Sequence, residues 1–88
     1  MNVEFRRSFI KDLKNVSDKS LLTRLKIEIE TVEKAASLKN IANRKKLKGF
    51  DNYFRLKIGD FRLGFALEND TVIFVRFLHR KDIYKFFP

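Results

Sequence analysis

Arg55 and Lys57 stand two residues apart in the segment Tyr53-Phe54-Arg55-Leu56-Lys57-Ile58. In an extended chain, side chains two apart point the same way. The two cations therefore share a face, while Phe54, Leu56 and Ile58 take the other. Arg62 follows across Gly59-Asp60, a hairpin turn signal. It has the polar parity of its own alternating run, in which Phe61, Leu63, Phe65 and Leu67 oppose Arg62, Gly64 and Ala66. Arg80 and Tyr84 are spaced by four, one helical turn. Such a set suits a polyanion. Guanidinium groups clamp a phosphate with paired donors, and an aromatic ring stacks on a base. Fixed cations also stabilise the negative charge that a transition state gathers around phosphorus. The competing reading is an ordinary solvated strand face. Against it, residues 37–57 hold seven Lys or Arg and a single acid, Asp51, whereas a surface selected for stability mixes signs. The run Arg44-Lys45-Lys46-Leu47-Lys48 continues the cationic set; Arg44, Lys45, Lys46 and Lys48 are assigned to RNA or ribosome contact.

Other chemistry is poorly represented. His79 is the only histidine, and a lone His makes neither a metal site nor an acid–base pair; a packing role at a strand end is expected. The acids are scattered, cysteine is absent and there are three glycines. No metal centre, disulfide, nucleophile triad or phosphate-cradling loop is expected, and no cofactor.

The elements that must hold these residues follow from periodicity. Val3 and Phe5 suit a short first strand. Phe9, Ile10, Leu13 and Val16 form one helical stripe, and Leu22, Leu25, Ile29, Val32 and Ala36 form a second. Ser17 or Asp18 between them is an N-cap candidate, so the pair reads as a helical hairpin. Residues 37–50 are basic and lack a clear period. Two alternating strands then flank Gly59-Asp60, and Asn69-Asp70 turns the chain into Val72–Leu78, an almost unbroken apolar run that reads as a strand buried on both faces. Lys81 to Phe87 is predicted to form a short terminal helix. The expected fold is α+β, β-α-α-β-β-β with a short C-terminal helix, the helical hairpin covering one face of a small antiparallel sheet. Residues 1–88 form one domain.

The 88 residues carry a net charge of +9, a strong field that favours nucleic acid, ribosome, anionic membrane or an acidic protein. Residues 1–36 contribute +2 of it and residues 37–88 contribute +7. No apolar run approaches the roughly 20 residues of a membrane span, and Met1 to Ser8 lacks an apolar signal core. A cytoplasmic protein with no membrane partner is expected. The tail Ile83-Tyr84-Lys85-Phe86-Phe87-Pro88 is rich in aromatics, and either folds back onto the sheet or lies exposed for a partner.

The stretch Leu47-Lys48-Gly49, followed by Tyr53 to Leu63, resembles the central hairpin of the RelE/ParE toxin superfamily, and His79-Arg80-Lys81-Asp82-Ile83-Tyr84 resembles its C-terminal signature. The resemblance implies a ribosome-dependent, metal-independent endoribonuclease that cuts mRNA in the ribosomal A site, held inactive by an acidic antitoxin. By the same resemblance Arg55, Lys57, Arg62, Arg80 and Tyr84 are the catalytic set. RNA is cut by its own 2′-OH. Lys57 accepts that proton, Arg62 holds the phosphorane oxygens, Arg80 sits near the leaving 5′-oxygen and Tyr84 stacks on a nucleotide. The best-known branch carries Lys where this chain has Arg55. A guanidinium stays protonated near neutral pH, so Arg55 is cast as a phosphate clamp. The alternatives are a ParE-like DNA gyrase poison and a non-catalytic basic module that binds RNA or ribosome.

Overall fold

The structure, a computed structural model, describes residues 1–41 and 44–88. The part of the basic connector at 42–43 lies outside the described residues. Strand β1 (Asn2–Phe5) leads into helices α1 (Arg7–Lys14) and α2 (Lys19–Lys34). A single 3₁₀ turn (Leu38–Asn40) precedes β2 (Arg44–Lys46), β3 (Tyr53–Ile58), β4 (Phe61–Glu68) and β5 (Thr71–His79), and helix α3 (Arg80–Phe86) closes the chain. Asp18 is the N-cap of α2, its carboxylate accepting from the Leu21 N–H at 3.1 Å.

The five strands form one sheet in the order β1-β5-β4-β3-β2. Two features depart from the antiparallel sheet expected. Three residues of the basic connector pair with β3 as the edge strand β2. At the other edge β1 runs parallel to β5, with Val3 opposite Val72 and Phe5 opposite Phe74. A parallel pair needs a long crossover, which the intervening helices and strands provide.

Alternation along β3 and β4 sends Phe54, Leu56, Ile58, Leu63 and Phe65 to the helix side. There they pack with Phe9, Leu21, Leu25 and Val32, and with Val72, Phe74 and Phe77 of β5. The opposite face is not wholly open. Gly64 and Ala66, of polar parity, are buried, and a second small core of Ala66, Ile73, Ile83 and Phe87 lies outside the main cluster. The tail thus divides. Phe87 is 6% exposed and Phe86 is 55% exposed.

Gly64 makes this second core possible. A Cβ there would lie 2.9 Å from three carbons of the Phe87 ring. Gly64→Ala is expected to overpack the contact at a cost of about 1–3 kcal/mol, read as a lower urea midpoint. In a Phe87→Ala background the same substitution should cost much less; an equal cost in both would mean the ring is not what it strikes.

Helix α1 keeps most of the apolar stripe expected of it, with Phe9 in the core and Leu13 and the following Val16 packed against it, but one member turns outward and a carboxylate turns in. Ile10 is 43% exposed, and Asp12 is buried at 6%. The reason is that α1 lies along the edge of β5 beyond the end of β1. A bare strand edge presents N–H and C=O groups that need partners. The Arg6 N–H donates to the Phe74 carbonyl at 2.9 Å, the Ser8 hydroxyl to the Val75 carbonyl at 2.6 Å, and the Phe77 N–H to Asp12 Oδ2 at 2.9 Å. Ser8 and Asp12 are one helical turn apart, so one face of α1 serves the edge. Asp12 also takes Arg76 in a two-bond pair, at 2.8 and 2.9 Å.

Candidate functional site

The register of three strands assembles the site. Lys45 of β2 lies opposite Arg55 of β3, and Lys57 of β3 lies opposite Arg62 of β4. All four have the parity that faces away from the helical hairpin. Across from Arg55 on β4 is Gly64, whose missing side chain leaves room for the Phe87 ring. Helix α3 then lays Tyr84 over the group. Its neighbours Ile83 and Phe87 are buried at 2% and 6%, whereas Tyr84 is 66% exposed. Ile83 and Phe87 therefore seat the helix while Tyr84 stays available. The Arg55 guanidinium carbon stands 4.6 Å from the Tyr84 ring centroid, within cation–π range.

Together Lys45, Arg55, Lys57, Arg62 and Tyr84 line a hollow of about 280 Å³. Four of the five are cations and none is an acid. Among the described residues the ion pairs are Lys46–Asp51 and Arg76–Asp12, so none of these four has a carboxylate partner. Like charges so gathered repel one another, and an anion held among them would relieve the repulsion. Arg62 is held in place by its own hairpin, Nη1 donating to the carbonyls of Gly59 at 3.0 Å and Phe61 at 2.9 Å.

The structure brings together Arg55, Lys57, Arg62 and Tyr84 of the expected catalytic set. Arg80 is not among the lining residues. It is exposed at the start of α3, its N–H donating to the Asp60 carbonyl at 2.7 Å. The basic run is also divided. Arg44 and Lys46 lie opposite Leu56 and Phe54, so they have the opposite parity to Lys45. The Arg44 side chain donates to the Ile41 carbonyl at 3.1 Å, and Lys46 sits 3.8 Å from Asp51. Lys48 belongs to the turn that follows. Lys45 alone of that run joins the hollow. Three residues are too few for alternation to register in a sequence, so its partnership with Arg55 became visible only through strand pairing.

His79 ends β5 and caps α3, its Nδ1 accepting from the Lys81 N–H at 3.1 Å. Its ring meets Phe61 edge-on at 5.7 Å. Away from the hollow, the Asp12 hydrogen bonds raise the pKa of Arg76, with partial burial opposing them. Among the described residues no three His, Asp or Glu side chains gather as a metal ion would require, and no helix is long and apolar enough to cross a membrane.

Comparison with known proteins gives a consistent result. Residues 3–84 match the family model described as the ParE toxin of a type II toxin–antitoxin system, parDE. The chain is 43% identical over 89 residues to Toxin RelE3 of Methanocaldococcus jannaschii, covering 100% of both chains. It is similar in structure to a chain of the RelB-RelE antitoxin–toxin complex of Methanococcus jannaschii, with a TM-score of 0.82 and 41% identity, covering 97% of this chain and 99% of that one. The YoeB dimer of Staphylococcus aureus shares the fold, with a TM-score of 0.73 at 18% identity over 90% of this chain and 95% of that one.

Proposed function

The chain belongs to the RelE/ParE toxin superfamily, and on that premise we propose that it acts as a ribosome-dependent endoribonuclease that cuts mRNA in the ribosomal A site. It is a RelE-like toxin of a toxin–antitoxin system. The observation that carries the enzymatic reading is the acid-free hollow of Lys45, Arg55, Lys57, Arg62 and Tyr84.

The scissile phosphate sits in this hollow. The 2′-oxygen of the preceding nucleotide attacks phosphorus and gives its proton to Lys57, which takes it as the neutral amine. The bond to the 5′-oxygen breaks, leaving a 2′,3′-cyclic phosphate, and the departing oxygen takes a proton from water to become a 5′-hydroxyl. Arg55 and Arg62 hold the non-bridging oxygens as charge builds there. Tyr84, backed by Arg55, offers the ring face away from the guanidinium to a base. The ribosome holds the mRNA in position, which a site with so few acid–base groups needs. An antitoxin with acidic side chains is the partner that such a surface attracts.

Primer extension on mRNA in arrested cells tests the reading. Cleavage within codons supports it. DNA damage with intact mRNA points instead to a gyrase poison, and arrest with neither points to a basic module that only binds. Arg80 has its own test. Its role at the leaving oxygen requires the exposed side chain to swing in with the substrate. Arg80→Ala is expected to slow single-turnover cleavage by about 10²–10³-fold, as for loss of one charge-stabilising donor. A variant that cleaves at the parent rate removes Arg80 from the mechanism.

A further inference from the structure

We propose that Phe50 is a stacking subsite for an unpaired base of single-stranded RNA, at the end of the cationic row that lines the hollow. This rests on the reading of the chain as an enzyme acting on RNA.

The turn between β2 and β3 lifts Phe50 out of the fold. The Phe50 N–H donates to the Leu47 carbonyl at 3.2 Å, and the Leu47 N–H to the Tyr53 carbonyl at 2.9 Å. Gly49, third in that turn, has φ +86°, where L side chains are strained. A Cβ on Gly49 would meet none of the described residues within 4 Å, so none of them packs down on the turn from that side. Phe50 is 44% exposed.

The other exposed phenylalanines are accounted for within the fold. Phe5 stacks on Phe9 and Phe74, with centroids 5.6 Å away in each case, and Phe86 lies under the Arg76 guanidinium at 5.7 Å. Phe50 has an edge-to-face contact with Tyr53, at 5.5 Å and 87°. Such a contact takes at most one face of the Phe50 ring. Tyr53 is two residues before Arg55 on the same face of β3, so the turn continues the line Lys57, Arg55, Tyr53. Tyr53 is itself braced edge-on by Phe87 at 5.7 Å. The ring therefore projects from a supported position.

Charge and shape select the ligand. Phe50 lines a shallow hollow with Lys46, Lys48 and Asp51. Asp51 lies against Lys46, while Lys48 has no carboxylate partner among the described residues. A protein helix would need a wider apolar patch than one ring set among lysines. A nucleobase needs only a planar face with a cation nearby for its phosphate, the arrangement single-strand platforms use.

The chain has no tryptophan, so Phe50→Trp installs a single fluorescent reporter. The probes are a short oligouridylate and an abasic oligonucleotide of equal length and charge. Binding of the oligouridylate should quench the Phe50→Trp emission. Phe50→Ala should weaken its binding by roughly 5- to 100-fold without changing the slope of log K against log salt. Lys48→Ala should make that slope shallower by about one. The abasic probe should bind parent and Phe50→Ala alike. Emission that does not move while the oligouridylate binds, or an equal loss on both probes, overturns the subsite. The broader reading fails separately. Lys57→Ala and Arg62→Ala variants that keep full RNA binding and ribosomal cleavage would sink it, whatever Phe50 does.

Discussion

Lys57→Ala is expected to slow single-turnover cleavage of ribosome-bound mRNA by about 10²–10⁴-fold, the usual weight of a positioned proton acceptor. Lys57 is exposed and pairs with no carboxylate among the described residues, so the variant's melting temperature should stay within roughly 4 °C of the parent. It is a cleaner probe than Arg62, which also ties the Gly59 and Phe61 carbonyls of the hairpin. Losing those bonds costs about 0.5–1.5 kcal/mol each, so an Arg62→Ala loss mixes chemistry with stability. Lys57→Arg separates the two roles open to a cation here. A guanidinium keeps the charge but stays protonated. If Lys57 takes the 2′-OH proton, Lys57→Arg should be nearly as slow as Lys57→Ala. If it serves by charge alone, Lys57→Arg should recover most of the rate. A Lys57→Ala variant that cleaves normally ends the assignment.

Asp12→Ala is expected to be among the most damaging single truncations for stability. It strips the counter-ion from the partly buried Arg76 and leaves the buried Phe77 N–H without an acceptor. Breaking such a pair costs about 3–5 kcal/mol. A domain of this size holds roughly 4–13 kcal/mol in total, so about a quarter of the margin or more is at stake. The melting temperature should fall by at least about 12 °C. Asp12→Asn retains an acceptor for the Phe77 N–H and should fall less. The raised pKa of Arg76 means that its side of the pair contributes fully below the ordinary arginine value and fades only above it. Titration of Arg76 therefore adds no pH dependence near neutrality. A small change in the Asp12→Ala melt would mean that solvent replaces the carboxylate at the β5 edge.

Much of this was written locally. Period-two alternation set which residues of β3 and β4 turn to the core, and so which cations are left to face away from it. The Asp18 cap and the apolar spacing of α2 required no distant partner to be read. The site shows the limit of such readings. Arg80 and Tyr84 look equivalent at a spacing of four, yet one lines the hollow and the other does not. That outcome depends on how Ile83 and Phe87 anchor α3 to a sheet whose Gly64 leaves room for a ring.

What the sequence determined by itself was therefore the main elements other than the edge strand β2, most of the faces they present and the cationic character of the hollow. Those follow from forces acting over one or two turns of chain, where spacing is the whole of the geometry. Only the tertiary structure decided that Lys45 joins Arg55, that β1 lies parallel to β5, and that Asp12 is worth burying while Ile10 is not. An edge strand of three residues is defined by its partner's hydrogen bonds. A buried carboxylate is defined by the unpaired N–H and guanidinium that it meets. Both partners come from segments far along the chain, Arg55 in one case and Phe77 and Arg76 in the other. Nothing in the spacing of neighbouring residues announces them.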